Sequence, residues 1–237
     1  AKVSRLIYVR GMNMIYELKE TGRASALFAG WQDSVVWTAL QGVMGKIYVD
    51  SLEKPESGVV MLGDFCFLSG KPKSEIISGA LTNSASEEVI LVPQNDDWAQ
   101  MIVECYGEKA EKAIRYAIKK EPGIFDLKQL QKVAQSLPGE YEMRLIDQEL
   151  FEICRDTQWS KDLTANYESY SQYKEYGLGV CILTGGEVVA GISSYSGYGR
   201  RSDENLGCHG GIEIEVVTRR ASSSFSGVQK TATVLLL

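Results

Sequence analysis

The 237-residue chain has one histidine, no Cys-x-x-Cys pair and no apolar run near the roughly 20 residues that a membrane span requires. Its five cysteines, Cys66, Cys105, Cys154, Cys181 and Cys208, are odd in number and widely spaced. That pattern signals neither a zinc ribbon nor a redox dithiol, and it reads as a reduced, cytoplasmic protein with mostly buried thiols. The lone His209 lies in Gly207-Cys208-His209-Gly210. One Cys beside one His is too small a donor set for zinc, and adjacent residues point apart, so an incidental loop histidine is expected and no metal. A basic surplus is missing as well. The formal charge of −6 argues against a nucleic-acid partner but leaves room for a local site for one anionic ligand. No Walker pattern occurs, since GVQKT (227–231) has one glycine where that loop needs two and GK[ST]. Internal repeats, low-complexity tracts and a signal-peptide core are not seen either, and no membrane partner is expected. Residues 1–11, ahead of Met12 and Met14, read either as a tag or upstream extension or as native chain.

What the chain does have is a globular composition, 44% apolar, enough for one large domain or two small ones. Spacing of Leu27, Phe28, Trp31, Val35 and Leu40 predicts a helix over 24–42. Strands follow at 45–51, 54–62 and 65–72, two of them joined as a hairpin, and an apolar run at 87–94 ends at Pro93. A helix with an aspartate cap is predicted at 96–107. A charged amphipathic helix is predicted over 108–121, with Glu108 and Lys112 as an i,i+4 pair and Pro122-Gly123 as its stop. A short helix then ends at Pro138-Gly139, and Leu-Pro-Gly-Glu is the expected boundary between domains 1–137 and 138–237. Beyond it come an alternating strand at 141–147, a helix at 148–156, and a polar, aromatic helix with irregular ends over 157–177. GLGVCIL and EVVAGISSYS flank Thr184-Gly185-Gly186, a hairpin signature. A glycine-rich loop over 197–211, holding the solvated pair Arg200-Arg201, leads into GGIEIEVVTRR.

The run GLGVCILTGGEVVAGISSYS followed by GGIEIEVVTRR resembles the GNAT superfamily of acetyl-CoA-dependent N-acetyltransferases. The arrangement looks most like the zwittermicin A resistance-type subgroup, which places a separate domain ahead of the transferase domain. This resemblance implies an α/β (α+β) fold, a mostly antiparallel sheet flanked by helices, preceded by a smaller mixed domain. It also implies acetyl-CoA as co-substrate, a small-molecule primary amine as acceptor, and direct attack in a ternary complex. By carry-over, main-chain groups of Val216, Val217 and Thr218 would hold the pantetheine arm, and Arg219 and Arg220 would stand at the start of the pyrophosphate turn. The family's Q/R-x-x-G-x-G/A turn is not found in RRASSSFSG, where Gly227 is the single glycine. The chain is therefore expected to be incomplete or altered after about residue 220. A degenerate GNAT-like binding module without turnover stands as the alternative.

Within that frame, Glu213 and Glu215 are candidates for the base that takes a proton from the substrate ammonium. They are equally explained as the polar face of a half-exposed strand. If both line one site, each raises the other's pKa. Trp159, Tyr167 and Tyr170 are candidates to line an amine cleft, with Tyr173 and Tyr176 nearby. The three-residue spacing of Tyr170, Tyr173 and Tyr176 also fits plain packing of one helical face. A homodimer is an open expectation, because an unfinished sheet leaves an edge that recruits another chain.

Overall fold

A computed structural model describes residues 15–84, 88–114 and 126–199 with their side chains, and 211–218 and 229–236 as backbone. The chain groups into two compact units, Ala1–Trp31 with Gly45–Lys112, and Gln32–Met44 with Ala113–Leu237. This grouping differs from a single cut after residue 137, because Gln32–Met44 and 113–137 both join the second unit.

The first unit is a five-stranded sheet whose strands lie side by side in chain order: β1 (Tyr16–Glu17), β2 (Lys46–Val49), β3 (Ser57–Leu62), β4 (Phe65–Gly70) and β5 (Ile90–Pro93). Neighbours are antiparallel except β5, which returns parallel to β4 after the crossover helix α2 (Ser74–Asn83). Every residue of β3 is buried, as expected of a strand covered on both faces. Ile76, Ile77 and Ala80 of α2 pack with Val59, Met61, Cys66 and Leu68 of the sheet and with Trp98. Trp98 lies on α3 (Asp96–Tyr106), whose first turn is capped by the Asn95 side chain accepting from the Trp98 amide at 3.1 Å. The cap is thus Asn95 rather than an aspartate, and Asp96 and Asp97 occupy the first turn, favourably for the helix dipole.

The second unit contains α1 (Ser34–Leu40), α4 (Leu127–Gln135), β6 (Tyr141–Leu145), α5 (Gln148–Asp156), α6 (Tyr170–Tyr176), β7 (Gly179–Thr184), β8 (Glu187–Tyr198), β9 (Gly211–Thr218) and β10 (Gln229–Leu236). Its sheet runs β10-β9-β8-β7-β6 with every pair antiparallel. The β7–β8 hairpin turns on Gly185 and Gly186, with φ of 57° and 86°. Two successive positive φ values define the turn whose twist matches the flanking strands, and glycine adopts them without a Cβ clash. Cys181 and Leu183 of β7 are buried on one face, together with Leu150, Phe151 and Cys154 of α5, Leu163, Tyr167 and Tyr173. The architecture is α/β with a mostly antiparallel sheet flanked by helices.

Three helices differ from expectation. The helix expected over 24–42 is confined to Ser34–Leu40, preceded by a 3-10 turn at Thr21–Ala24 and further turns. The chain passes from one compact unit to the other after Trp31, so the periodicity spanning that point belonged to two cores. The helix expected over 157–177 is a 3-10 turn at Lys161–Leu163 and then α6, started by the Ser169 side chain accepting from the Gln172 amide at 3.3 Å. Ser160 bonds back to the Cys154 carbonyl at 3.3 Å, the local competition that keeps serine-rich stretches out of helices. Of the charged helix expected over 108–121, a 3-10 turn at Gly107–Lys109 and irregular chain to 114 are observed, and the remainder lies outside the described residues. Residues 108–114 are mostly exposed, and packing of a buried face is what stabilises a short helix.

Candidate functional site

The centre of the second unit's sheet is built from small polar residues. Ser193, Ser194 and Ser196 of β8 are all buried. A buried hydroxyl without a partner costs about 1–3 kcal/mol, and each of these has one. Tyr173 Oη and Ser193 Oγ are 2.9 Å apart, and Tyr167 Oη and Ser194 Oγ 2.7 Å. Ser194 Oγ also accepts from the Leu178 amide at 2.9 Å. Ser196 Oγ lies 2.7 Å from Ser34 Oγ of α1, and Thr38 Oγ1 donates to the Gly197 carbonyl at 2.7 Å. Gln41 bonds Gly199 twice, Nε2 to its carbonyl at 3.0 Å and Oε1 from its amide at 3.1 Å. Helix α1 and two tyrosines thus fix the course of β8 residue by residue.

That course includes an irregularity. The β8–β9 register shifts between Ser194 and Ser196, and the Tyr195 carbonyl there accepts from Asn166 Nδ2 at 3.1 Å. On β9, Glu215 is set opposite Ser193 and Glu213 opposite Ser196. The other side of β9 pairs with β10, again with a shift, between Lys230 and Thr233. Lys230 stands opposite Val217 and Thr233 opposite Glu215, so Thr231 and Ala232 together oppose Val216. Among residues 212–218, Val216 has no β10 partner in the described register. Two residues of β10 against one of β9 is a bulge on β10, the strand that carries the extra residue.

Burial pushes the Tyr167 phenol up to about 12, against the lowering effect of its bond to Ser194, and drives Tyr173 higher still. Tyr167 is a core residue whose ring meets that of Tyr173 edge-on at 4.9 Å. Tyr170 is half-buried with its ring 5.8 Å from Phe151, and Trp159 is half-buried. Val216, Val217 and Thr218 are placed as backbone on β9. Arg219, Arg220, Arg200, Arg201, Cys208 and His209 lie outside the described residues. Among the described residues no group of His, Cys, Asp and Glu is arranged to hold a metal, and no helix is long and apolar enough to cross a membrane.

The sequence reading missed the serine–tyrosine set, the recruitment of α1 and the strand β10. The cluster of three serines in SSYSG, within a strand, was the available signal for the first, and the β-rich TATVLLL for the last.

The GNAT acetyltransferase family matches residues 25–223, most of the chain. A solved structure of a GCN5-related N-acetyltransferase-like protein from Streptococcus suis 89/1591 is 39% identical and superposes with a TM-score of 0.73, covering 87% of this chain and 78% of that one. No curated protein matches. The chain belongs to the GNAT acetyltransferase family, and it is an acetyltransferase of the kind whose members use acetyl-CoA.

Proposed function

We propose that the protein transfers an acetyl group from acetyl-CoA to a primary amine of a small molecule, by direct attack in a ternary complex in the cytoplasm. The reading places it with the zwittermicin A resistance-type subgroup, the unit of Ala1–Trp31 and Gly45–Lys112 serving as the separate domain and the unit of Gln32–Met44 and Ala113–Leu237 as the transferase domain. The observation that carries the proposal is family membership over residues 25–223, joined to the β8–β9 pairing that sets Glu215 opposite Ser193 and Glu213 opposite Ser196.

In this reading, main-chain groups of Val216, Val217 and Thr218 hold the pantetheine arm, and Arg219 and Arg220 meet the pyrophosphate. Bound acetyl-CoA supplies the acyl group activated as a thioester. A main-chain N–H of β9 stabilises the negative charge that develops on the attacked carbonyl oxygen; donors of this kind contribute about 3–4 kcal/mol elsewhere. Glu213 and Glu215 remove the proton that the amine carries at neutral pH, directly or through one water. Trp159 and Tyr170, half-buried on the same unit, contact the amine's carbon skeleton. Tyr167 serves the site through Ser194, by holding β8 in the register that sets Glu215 opposite Ser193.

The test is acetyl-CoA-dependent thiol release with a panel of primary amines, run on the native chain and on Glu213→Gln and Glu215→Gln. Loss of the base lowers kcat by about 10²–10⁴-fold near neutral pH, with partial recovery at high pH, where the free amine is abundant. Full activity in both variants would remove the glutamates from the mechanism. Absence of thiol release with every amine would contradict the amine acceptor.

A further inference from the structure

β6 is the outer strand of the second unit's sheet, and among the described residues nothing pairs with its free edge. Its residues alternate in kind: Tyr141, Met143 and Leu145 on one face, Glu142 and Arg144 on the other. The three apolar side chains are 38%, 48% and 64% exposed. An edge of this kind is normally blunted by proline, lysine or a covering element.

The main-chain phase of the edge follows from one bond. The Ile146 amide donates to the Gly179 carbonyl at 3.0 Å, and the register continues with Leu145 opposite Val180 and Arg144 opposite Cys181. Hydrogen-bonded positions alternate along an antiparallel ladder. Glu142, Arg144 and Ile146 therefore face β7, and Tyr141, Met143 and Leu145 turn their main-chain groups outward. The Tyr141 amide is taken by the Pro138 carbonyl at 2.9 Å, which agrees with that phase.

We infer that this edge pairs with β6 of a second copy of the chain, antiparallel about a two-fold axis at Met143. Met143 then exchanges both main-chain bonds with its counterpart, and each Leu145 amide reaches the partner's Tyr141 carbonyl. The charges select this occupant. Glu142 and Arg144 flank Met143 symmetrically, so the axis sets each Glu142 opposite Arg144 of the other copy. Those two positions form a non-hydrogen-bonded pair, the kind that brings Cα atoms within about 4.5 Å and side chains closest. Arg144 already bonds Asp147 at 2.9 Å and Glu149 at 3.3 Å, which holds its guanidinium beside the strand for a further carboxylate. On the other face Tyr141 meets Leu145 and Met143 meets itself, covering the exposed apolar row. Such a contact is isologous and closes at two copies.

The experiment is sedimentation velocity of the full chain over a range of concentrations, with Glu142→Arg and the double variant Glu142→Arg/Arg144→Glu. A reversible dimer is expected. The single variant sets arginine against arginine twice and raises the dissociation constant about tenfold, and the double variant recovers the native value. Hydrogen exchange read in the same series should show the Met143 and Leu145 amides protected as the dimer forms. A monomer at all concentrations overturns the inference. A dimer indifferent to Glu142→Arg, or a folded double variant without recovery, overturns it as well, because the contact would then lie elsewhere.

Discussion

The hydroxyls of Tyr167 and Tyr173 reach two adjacent serines of β8 from inside the core, and their ionisation is tied to folding. In the unfolded chain a tyrosine titrates near pH 10, whereas burial pushes Tyr167 up to about 12 and Tyr173 further. The stability they contribute is whole below about pH 10 and is lost as pH rises through the folded values. Denaturant unfolding at pH 9 and 11 should show the loss, with two phenols ionising only on unfolding. Ordinary titration of all the tyrosines in the folded protein would contradict their burial. Tyr173→Phe should cost about 1 kcal/mol, read from the same curves. Asp50 in the first unit behaves in the opposite sense. Burial raises its carboxyl, but bonds from Lys73 Nζ at 2.6 Å and from the Ser57 and Glu56 amides at 3.1 Å each outweigh that and hold it below the carboxylate range. Its stabilisation is present above the unfolded value near pH 4 and lost as pH falls through the folded one. Asp50→Asn should remove about 1 kcal/mol at pH 7, reduced from the buried-pair figure because Lys73 is partly solvated, and progressively less as pH falls through the folded value. An effect that does not shrink as pH falls would show that charge is not the cause.

Between elements, the close approach of β8 to its neighbours sets what can be substituted. A Cβ at Gly197 would fall on the Tyr176 carbonyl, and the Gly197 carbonyl is the acceptor for Thr38 of α1. Gly197→Ala should therefore cost about 2–3 kcal/mol. Gly185→Ala meets nothing within 4 Å and should cost about 1–2 kcal/mol, from its positive φ alone. Thermal melts of the two variants order them, and a Gly185→Ala penalty larger than that of Gly197→Ala would contradict the packing. The contrast explains what the sequence made legible. The β7–β8 hairpin could be read because Gly185-Gly186 determines it locally, and α5 because Asp147 caps it and Leu150, Phe151 and Cys154 share one face. The extent of α1 could not be read. Val35, Trp37 and Leu40 look continuous with Leu27, Phe28 and Trp31, but they belong to another compact unit. The start of α6 was hidden, because it depends on a single serine cap within the polar stretch expected as one helix over 157–177. Nor could β10 be read against a family pattern from which its sequence departs, although TATVLLL has a strand's composition.

At the level of the whole molecule, family membership and the chemistry of acetyl transfer meet at one place on β9. Glu213 and Glu215 were legible as candidates from alternation, and their register opposite Ser196 and Ser193 adds a fixed position in the sheet. The bulge of β10 opposite Val216 was not legible, because it depends on a partner strand from the far end of the chain. If β9 holds acetyl-CoA there, the ligand binds the folded protein and not the unfolded one, and stability must rise with its concentration. At 100 times the dissociation constant the gain is about 2.7 kcal/mol. The decisive measurement is thermal unfolding of the full chain titrated with acetyl-CoA, beside a control with acetate. The account predicts a saturable rise in Tm with acetyl-CoA and none with acetate. No rise up to millimolar acetyl-CoA would contradict it.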